Sequence, residues 1–171
     1  MLEIATLKIH RAQSRRWREG DLAEEWAERF PDLFDEDDRR LVANQKHLGF
    51  HFVEWLAAIV LHHTTGYLSL VGKYEFEKHA RKRELIESML PTEGLAALDD
   101  RETHGRTQAP DLFMFAPDRT DWFFCEVKGP RDSLRPAQAA KFETLASATG
   151  RPIRLLTMKW ASGSGSKEGS T

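Results

Sequence analysis

Apolar residues fall into distinct periodicities along this chain, and each predicts an element. Leu48, Phe52, Trp55, Leu56, Ile59 and Val60 recur at helical spacing, and Val53, Ala57, Ala58 and Leu61 fill most of the remaining circumference. The pattern predicts a helix buried almost all round. Thr64-Thr65-Gly66 ends it, and Tyr67 to Val71 reads as a short strand. Asp111 to Ala116 and Trp122 to Lys128 are aromatic-rich runs flanking the turn formers Pro117-Asp118-Arg119-Thr120, which predicts a hairpin. Between strand and hairpin, a charged helix is expected from about Glu75 to Leu90, then a polar loop through Asp99-Asp100-Arg101-Glu102. Beyond the hairpin, Gly129-Pro130 breaks the strand. Pro136 opens a helix running to about Ala148 and closed by Gly150, and Pro152 to Met158 forms a last strand. Upstream, Leu22, Trp26 and Phe30 mark an amphipathic helix, followed by Pro31-Asp32-Leu33-Phe34 and the acidic run Asp35 to Asp38, expected to be a solvated loop. From Ala161 the Gly/Ser-rich composition predicts a disordered tail.

The hairpin carries the chemistry. Side chains alternate along a strand, so Trp122, Phe124, Glu126 and Lys128 share one face while Phe123, Cys125 and Val127 share the other. A loop centred between Asp118 and Arg119 sets Asp111 opposite Glu126, with facing Cβ atoms about 5 Å apart. Two ionised carboxylates that close repel by roughly 4 kcal/mol at an effective dielectric near 20. A divalent cation is the natural neutraliser, and hard oxygen ligands favour Mg²⁺ or Mn²⁺ over Zn²⁺. Such an ion lowers the pKa of bound water, and a lysine beside it can orient a nucleophile or offset developing negative charge.

Composition narrows the setting. A chain of 171 residues with 40% hydrophobic content supports a core with an appendage, and a formal net charge of −2 excludes a generally basic nucleic-acid coat protein. Basic residues cluster locally: Lys8, Arg11, Arg15, Arg16 and Arg18 near the start, Lys73 to Arg83 in the middle, and Arg131 with Arg135 beyond the hairpin. Lys73, Arg131 and Arg135 are the candidate phosphate contacts, the last two because they adjoin the hairpin acids. The single Cys125 cannot form an internal disulfide and is assigned to core packing. No signal peptide or membrane span is evident, so a cytoplasmic location without membrane contact is expected.

Pro110-Asp111, an apolar strand, Glu126-Val127-Lys128-Gly129-Pro130, then Arg131-Asp132-Ser133-Leu134 and Gln138 together resemble the VRR-NUC (virus-type replication-repair nuclease) group of PD-(D/E)xK nucleases. The similarity is clear from Pro110 to about Trp160 and looser back to about His47. It implies metal-dependent phosphodiester cleavage, often of flapped or branched DNA, and dimers in those stand-alone domains that cut four-way junctions. The element order matches an α/β, restriction-endonuclease-like core (αβββαβ) at 47–160, with a helical insertion, a helical N-terminal extension at 1–46 and the tail at 161–171.

The resemblance also implies a further acid from the first core helix. Glu54 is the one charged side chain between His47 and Gly72 if histidines are neutral, and a lone carboxylate in so apolar a helix is costly without a partner. Glu54, Asp111 and Glu126, with the Val127 carbonyl, are the expected metal ligands. Lys128 is expected to assist attack by water, and Gln138 to help place water or substrate. His47 and His51, one turn apart and followed by Glu54, offer a second metal arrangement, although no complete zinc signature accompanies them. Glu75, Glu77, Glu84 and Glu87 alternate with basic residues as on a solvated face. A catalytically inactive nucleic-acid-binding or assembly module on the same fold is the alternative, and the residues do not distinguish DNA from RNA.

Overall fold

A computed structural model of the chain describes residues 2–103, 105 and 108–162. In chain order these form β1 (Leu2–Ile9), α1 (Arg11–Glu19), α2 (Leu22–Arg29), α3 (Glu36–Gln45), α4 (Phe52–Thr65), β2 (Leu68–Val71), α5 (Ala80–Glu87), α6 (Thr92–Asp99), β3 (Leu112–Phe115), β4 (Trp122–Lys128), α7 (Pro136–Thr149) and β5 (Ile153–Trp160). The strands make one sheet in the order β1-β5-β4-β3-β2. β2 pairs with β3 and β3 with β4 antiparallel, and β5 lies parallel to β4 after the crossover through α7, the kind of connection that parallel pairing requires. The succession α4-β2-β3-β4-α7-β5 is the restriction-endonuclease-like core.

Alternation along the hairpin divides the interior into two layers. Leu112, Met114, Phe123, Cys125 and Val127 pack on the α4 side, while Phe113, Phe115, Trp122 and Phe124 pack against residues of α5, α6 and α7. With both faces covered, the two central strands are buried along their whole length. Glu126 and Lys128 alternate onto the same face as Trp122 and Phe124, at the C-terminal end of β4, and both are buried.

Three segments differ from the sequence expectation. The N-terminal extension is helical only from Arg11 onward, because Leu2–Ile9 forms a fifth strand parallel to β5. It is an edge strand whose residues from Glu3 to Thr6 remain exposed, so no buried alternation announces it. The acidic run is no solvated loop: Asp35 caps α3, accepting from the Asp38 N–H while Asp38 accepts from the Asp35 N–H. The insertion between β2 and β3 holds two helices where one was expected, α5 being shorter and α6 occupying the anticipated loop. Gly94 conceals α6 in the sequence and permits it in the fold. A Cβ there would stand 2.9 Å from Thr149 Cγ2, so glycine lets α6 close on α7 despite its poor helix propensity. The rest of the tail, from residue 163, lies outside the described residues, and no described helix is long and apolar enough to cross a membrane.

The N-terminal helices seat α4. Trp17 is fully buried, its ring centroid 5.3 Å from Trp55, 5.6 Å from Trp26 and 5.9 Å from Phe52. Its Nε1–H donates to the Phe50 carbonyl at 2.9 Å, and Phe34 stacks on Trp55 at 3.7 Å. Trp17→Ala is expected to cost about 3–5 kcal/mol through the cavity it leaves and the orphaned carbonyl. Urea denaturation of the two proteins checks this, and a change below about 1 kcal/mol would mean that the N-terminal helices are not part of the cooperative core.

Candidate active site

The hairpin register is the one the turn residues predict. Leu112 pairs with Cys125 and Phe113 with Phe124, which carries Asp111 to a place opposite Glu126 just before the start of β3. There the two strands exchange contacts. The Asp111 N–H donates to Glu126 Oε2 at 3.2 Å, and the Val127 N–H donates to Asp111 Oδ2 at 2.8 Å. Each carboxylate is thus held by a backbone amide of the opposite strand, which fixes both while leaving them close.

Lys128 stands two residues beyond Glu126 on the same face, with Nζ 2.7 Å from Glu126 Oε1 and 3.7 Å from Asp132 Oδ2. Both members of the first pair are buried, at 2% and 6% exposure for Glu126 and Lys128. Gln138 joins them. Its Nε2 donates to Glu126 Oε1 at 3.0 Å, and its Oε1 accepts from Lys128 Nζ at 3.1 Å and from the Arg135 N–H at 3.2 Å. The last bond caps α7, so helix initiation orients the amide that spans acid and lysine.

Glu54, in the first turn of α4, lines the same cavity as Asp111, and its Oε2 is buried without a hydrogen-bond partner among the described residues. Burial, and then the charges of Glu126 and Asp132, raise its pKa above the ordinary carboxylate value. Asp111 is pushed well above its ordinary value by burial and by the charges of Glu126 and Glu54. Burial pulls Lys128 down, but the hydrogen bond and charge of Glu126, with the charges of Asp132 and Asp111, outweigh it and hold the ammonium more firmly protonated. Three acids therefore act on one another electrostatically, and one ammonium stands among them.

This donor set fits a hard divalent cation. It consists of carboxylate oxygens, one of them buried and orphaned, in an arrangement whose mutual repulsion a cation would relieve. Among the described residues no three histidine, cysteine or acidic side chains are gathered into a finished ligand shell, so a bound ion would have to draw the carboxylates together. The histidine alternative does not form. His47 belongs to a 3₁₀ turn that ends at left-handed Gly49, and His51 precedes α4 with its Nε2 2.6 Å from Gln45 Oε1.

A cavity of about 260 Å³ adjoins the acids, lined by His51, Glu54, Lys73, Glu75 and Asp111 among others. Lys73 is thus brought to the acids, whereas Arg131 and Arg135 stay exposed on the connection after β4. Glu75 departs from the solvated face expected of it, since its Oε2 is buried without a partner among the described residues. Two supports had no sequence signal: Tyr74, whose hydroxyl donates to the Pro110 carbonyl, and Gly72, whose N–H donates to the Asp111 carbonyl at 2.8 Å. Both depend on pairing across the insertion, which no local pattern encodes.

The family model of the VRR-NUC domain matches residues 53–159, most of the chain and all but the end residues of the core just described. The chain belongs to this family of nuclease domains. No curated protein matches it. Among solved structures, the crystal structure of paFAN1 bound to DNA with a two-nucleotide 5′ flap and a gap is similar at 19% identity, with a TM-score of 0.39. The match covers 86% of this chain and 25% of that one, so the chain spans about a quarter of the length of that relative.

Proposed function

We propose that the chain is a Mg²⁺- or Mn²⁺-dependent nuclease that hydrolyses phosphodiester bonds in DNA and selects flapped or branched structures. The observation that carries this reading is the convergence of Asp111, Glu126 and Lys128 at the open end of one hairpin, with the orphaned carboxylate of Glu54 beside them. Glu54, Asp111 and Glu126, with the Val127 carbonyl, would hold the cation. When bound, the cation would acidify water and stabilise charge on a phosphoryl oxygen.

The chain's own groups do the remaining work. Lys128 keeps its proton because Glu126 lies against it, so it presents positive charge to a phosphate rather than serving as a base. Gln138 restrains acid and lysine together, limiting their drift between turnovers. The amide of Val127 locks one oxygen of Asp111 and leaves the other for a ligand. Lys73, Arg131 and Arg135 supply phosphate contacts around this centre.

The test is cleavage of labelled single-stranded, duplex, 5′-flap, 3′-flap and four-way-junction DNA with Mg²⁺, Mn²⁺ or EDTA. Metal-dependent cutting, strongest on a branched form, is the expected result. Failure of well-folded protein to cut any of them or to bind either metal would replace the nuclease reading with a binding module. Gln138→Ala should slow cutting by about tenfold with little loss of stability, because Glu126 and Lys128 still pair directly. Single-turnover rates together with melting curves check it, and an unchanged rate would reduce Gln138 to a helix cap.

A further inference from the structure

The acidic run that caps α3 also reaches the nuclease centre. Lys82 on α5 is 2% exposed, and its Nζ lies 2.6 Å from Oδ1 of Asp38, itself 5% exposed. The same ammonium donates to the Val71 carbonyl at 2.9 Å and the Gly72 carbonyl at 3.3 Å. Gly72 in turn donates its N–H to the Asp111 carbonyl. Gly72 and Lys73 both adopt left-handed backbone, with φ of 59° each, a turn that needs outside support at the non-glycine position. Asp38, Gly72, Lys73 and Asp111 all line the cavity beside the acids.

We propose that Asp38 and Lys82 are positioning residues of the nuclease centre, a buried clamp from the N-terminal helices that holds the Val71–Lys73 turn and through it the backbone of Asp111. The proposal rests on the nuclease reading above. It places a working part of the site outside the segment matched by the family, since Asp38 precedes residue 53. Its logic is electrostatic as well as geometric. The carbonyls of half-buried Val71 and Gly72 would lose their donor without Lys82, and buried Lys82 would keep only the more distant Asp35 Oδ2, at 3.9 Å, without Asp38.

Stability and positioning separate in the double variant Asp38→Leu/Lys82→Met. Removing both charges together leaves neither one buried and unpaired, so the double variant should melt above Asp38→Leu alone, and any loss against wild type comes from the Asp35 N–H and the two carbonyls that lose partners. The two carbonyls still lose their donor. Assayed as the full chain on labelled 5′-flap DNA, this variant should cut about ten- to a hundredfold more slowly at saturating DNA, as expected of a shifted catalytic frame. It should also need about tenfold more Mn²⁺ for half-maximal rate while binding DNA in EDTA within about twofold of wild type. A stable double variant with wild-type rate and wild-type Mn²⁺ requirement overturns the proposal.

If the double variant does not fold, Asp38→Asn keeps the volume and an acceptor but removes the charge. Faster hydrogen exchange at the Gly72 amide and a raised Mn²⁺ requirement are then expected, and no change in either overturns the clamp. Should wild-type protein cut nothing, the nuclease reading fails by itself. Mn²⁺ binding to wild-type and double-variant protein, read by electron paramagnetic resonance, then judges the clamp, with equal affinities overturning it.

Discussion

Lys128→Ala is expected to slow DNA cleavage by about two to three orders of magnitude while the chain stays folded. The size of the effect follows from what the ammonium faces. It is a buried cation beside Glu126 and Gln138 that, in the proposed mechanism, faces the reacting phosphate, and loss of one preorganised donor of this kind costs about 10²–10³ in rate. Glu126 keeps two donors, the Gln138 amide at 3.0 Å and the Asp111 N–H at 3.2 Å, which limits the cost of leaving a buried carboxylate without its counter-charge, so the melting temperature falls but the fold survives. Lys128→Met, which retains the aliphatic stem, should match the alanine variant in rate and exceed it in melting temperature. Single-turnover kinetics with Mn²⁺ beside circular-dichroism melts supply the check. A rate within about threefold of wild type in both variants would remove Lys128 from the chemistry.

Asp111→Asn should abolish cleavage, by about 10³-fold or more, yet stabilise the metal-free protein at neutral pH. The amide keeps the one contact that geometry demands, since its oxygen can still accept from the Val127 N–H. It loses the charge that burial, Glu126 and Glu54 make expensive. The sign follows from linkage. Asp111 has a folded pKa above its unfolded value near 3.8, so the unfolded chain releases this proton first as pH rises. Through that window the native state binds more protons and stability declines with increasing pH. The asparagine variant carries no such cost, so its melting temperature should exceed that of wild type at pH 7, and the gain should vanish below about pH 4. Adding Mn²⁺ should raise the wild-type melting temperature and do so far less in the variant. Equal melting temperatures at pH 7 without metal would mean that the carboxylates do not crowd one another.

Glu126 calls for different treatment. Truncating it would leave Lys128 buried without its nearest counter-charge and the Asp111 N–H without its acceptor, so an alanine there confounds chemistry with folding. Asp111 and Lys128 are the cleaner probes of the same centre.

What the sequence by itself determined is the part governed by short-range geometry. The period of two along β4 puts Glu126 and Lys128 on one face, the turn after Ala116 sets Asp111 opposite Glu126, and the apolar pattern of α4 leaves Glu54 as its one acid. Each follows from neighbouring residues and steric rules, so each is legible without a tertiary structure. Only the tertiary structure decided the rest. β1 forms because β5, at the far end of the chain, offers it an edge, and α6 because Gly94 lets it close on Thr149. Lys82 is indistinguishable from its charged neighbours until α3 brings Asp38 to it from 44 residues away. Pairing across such separations depends on which surfaces meet after collapse, and the energy that selects it resides in burial and desolvation rather than in any local pattern.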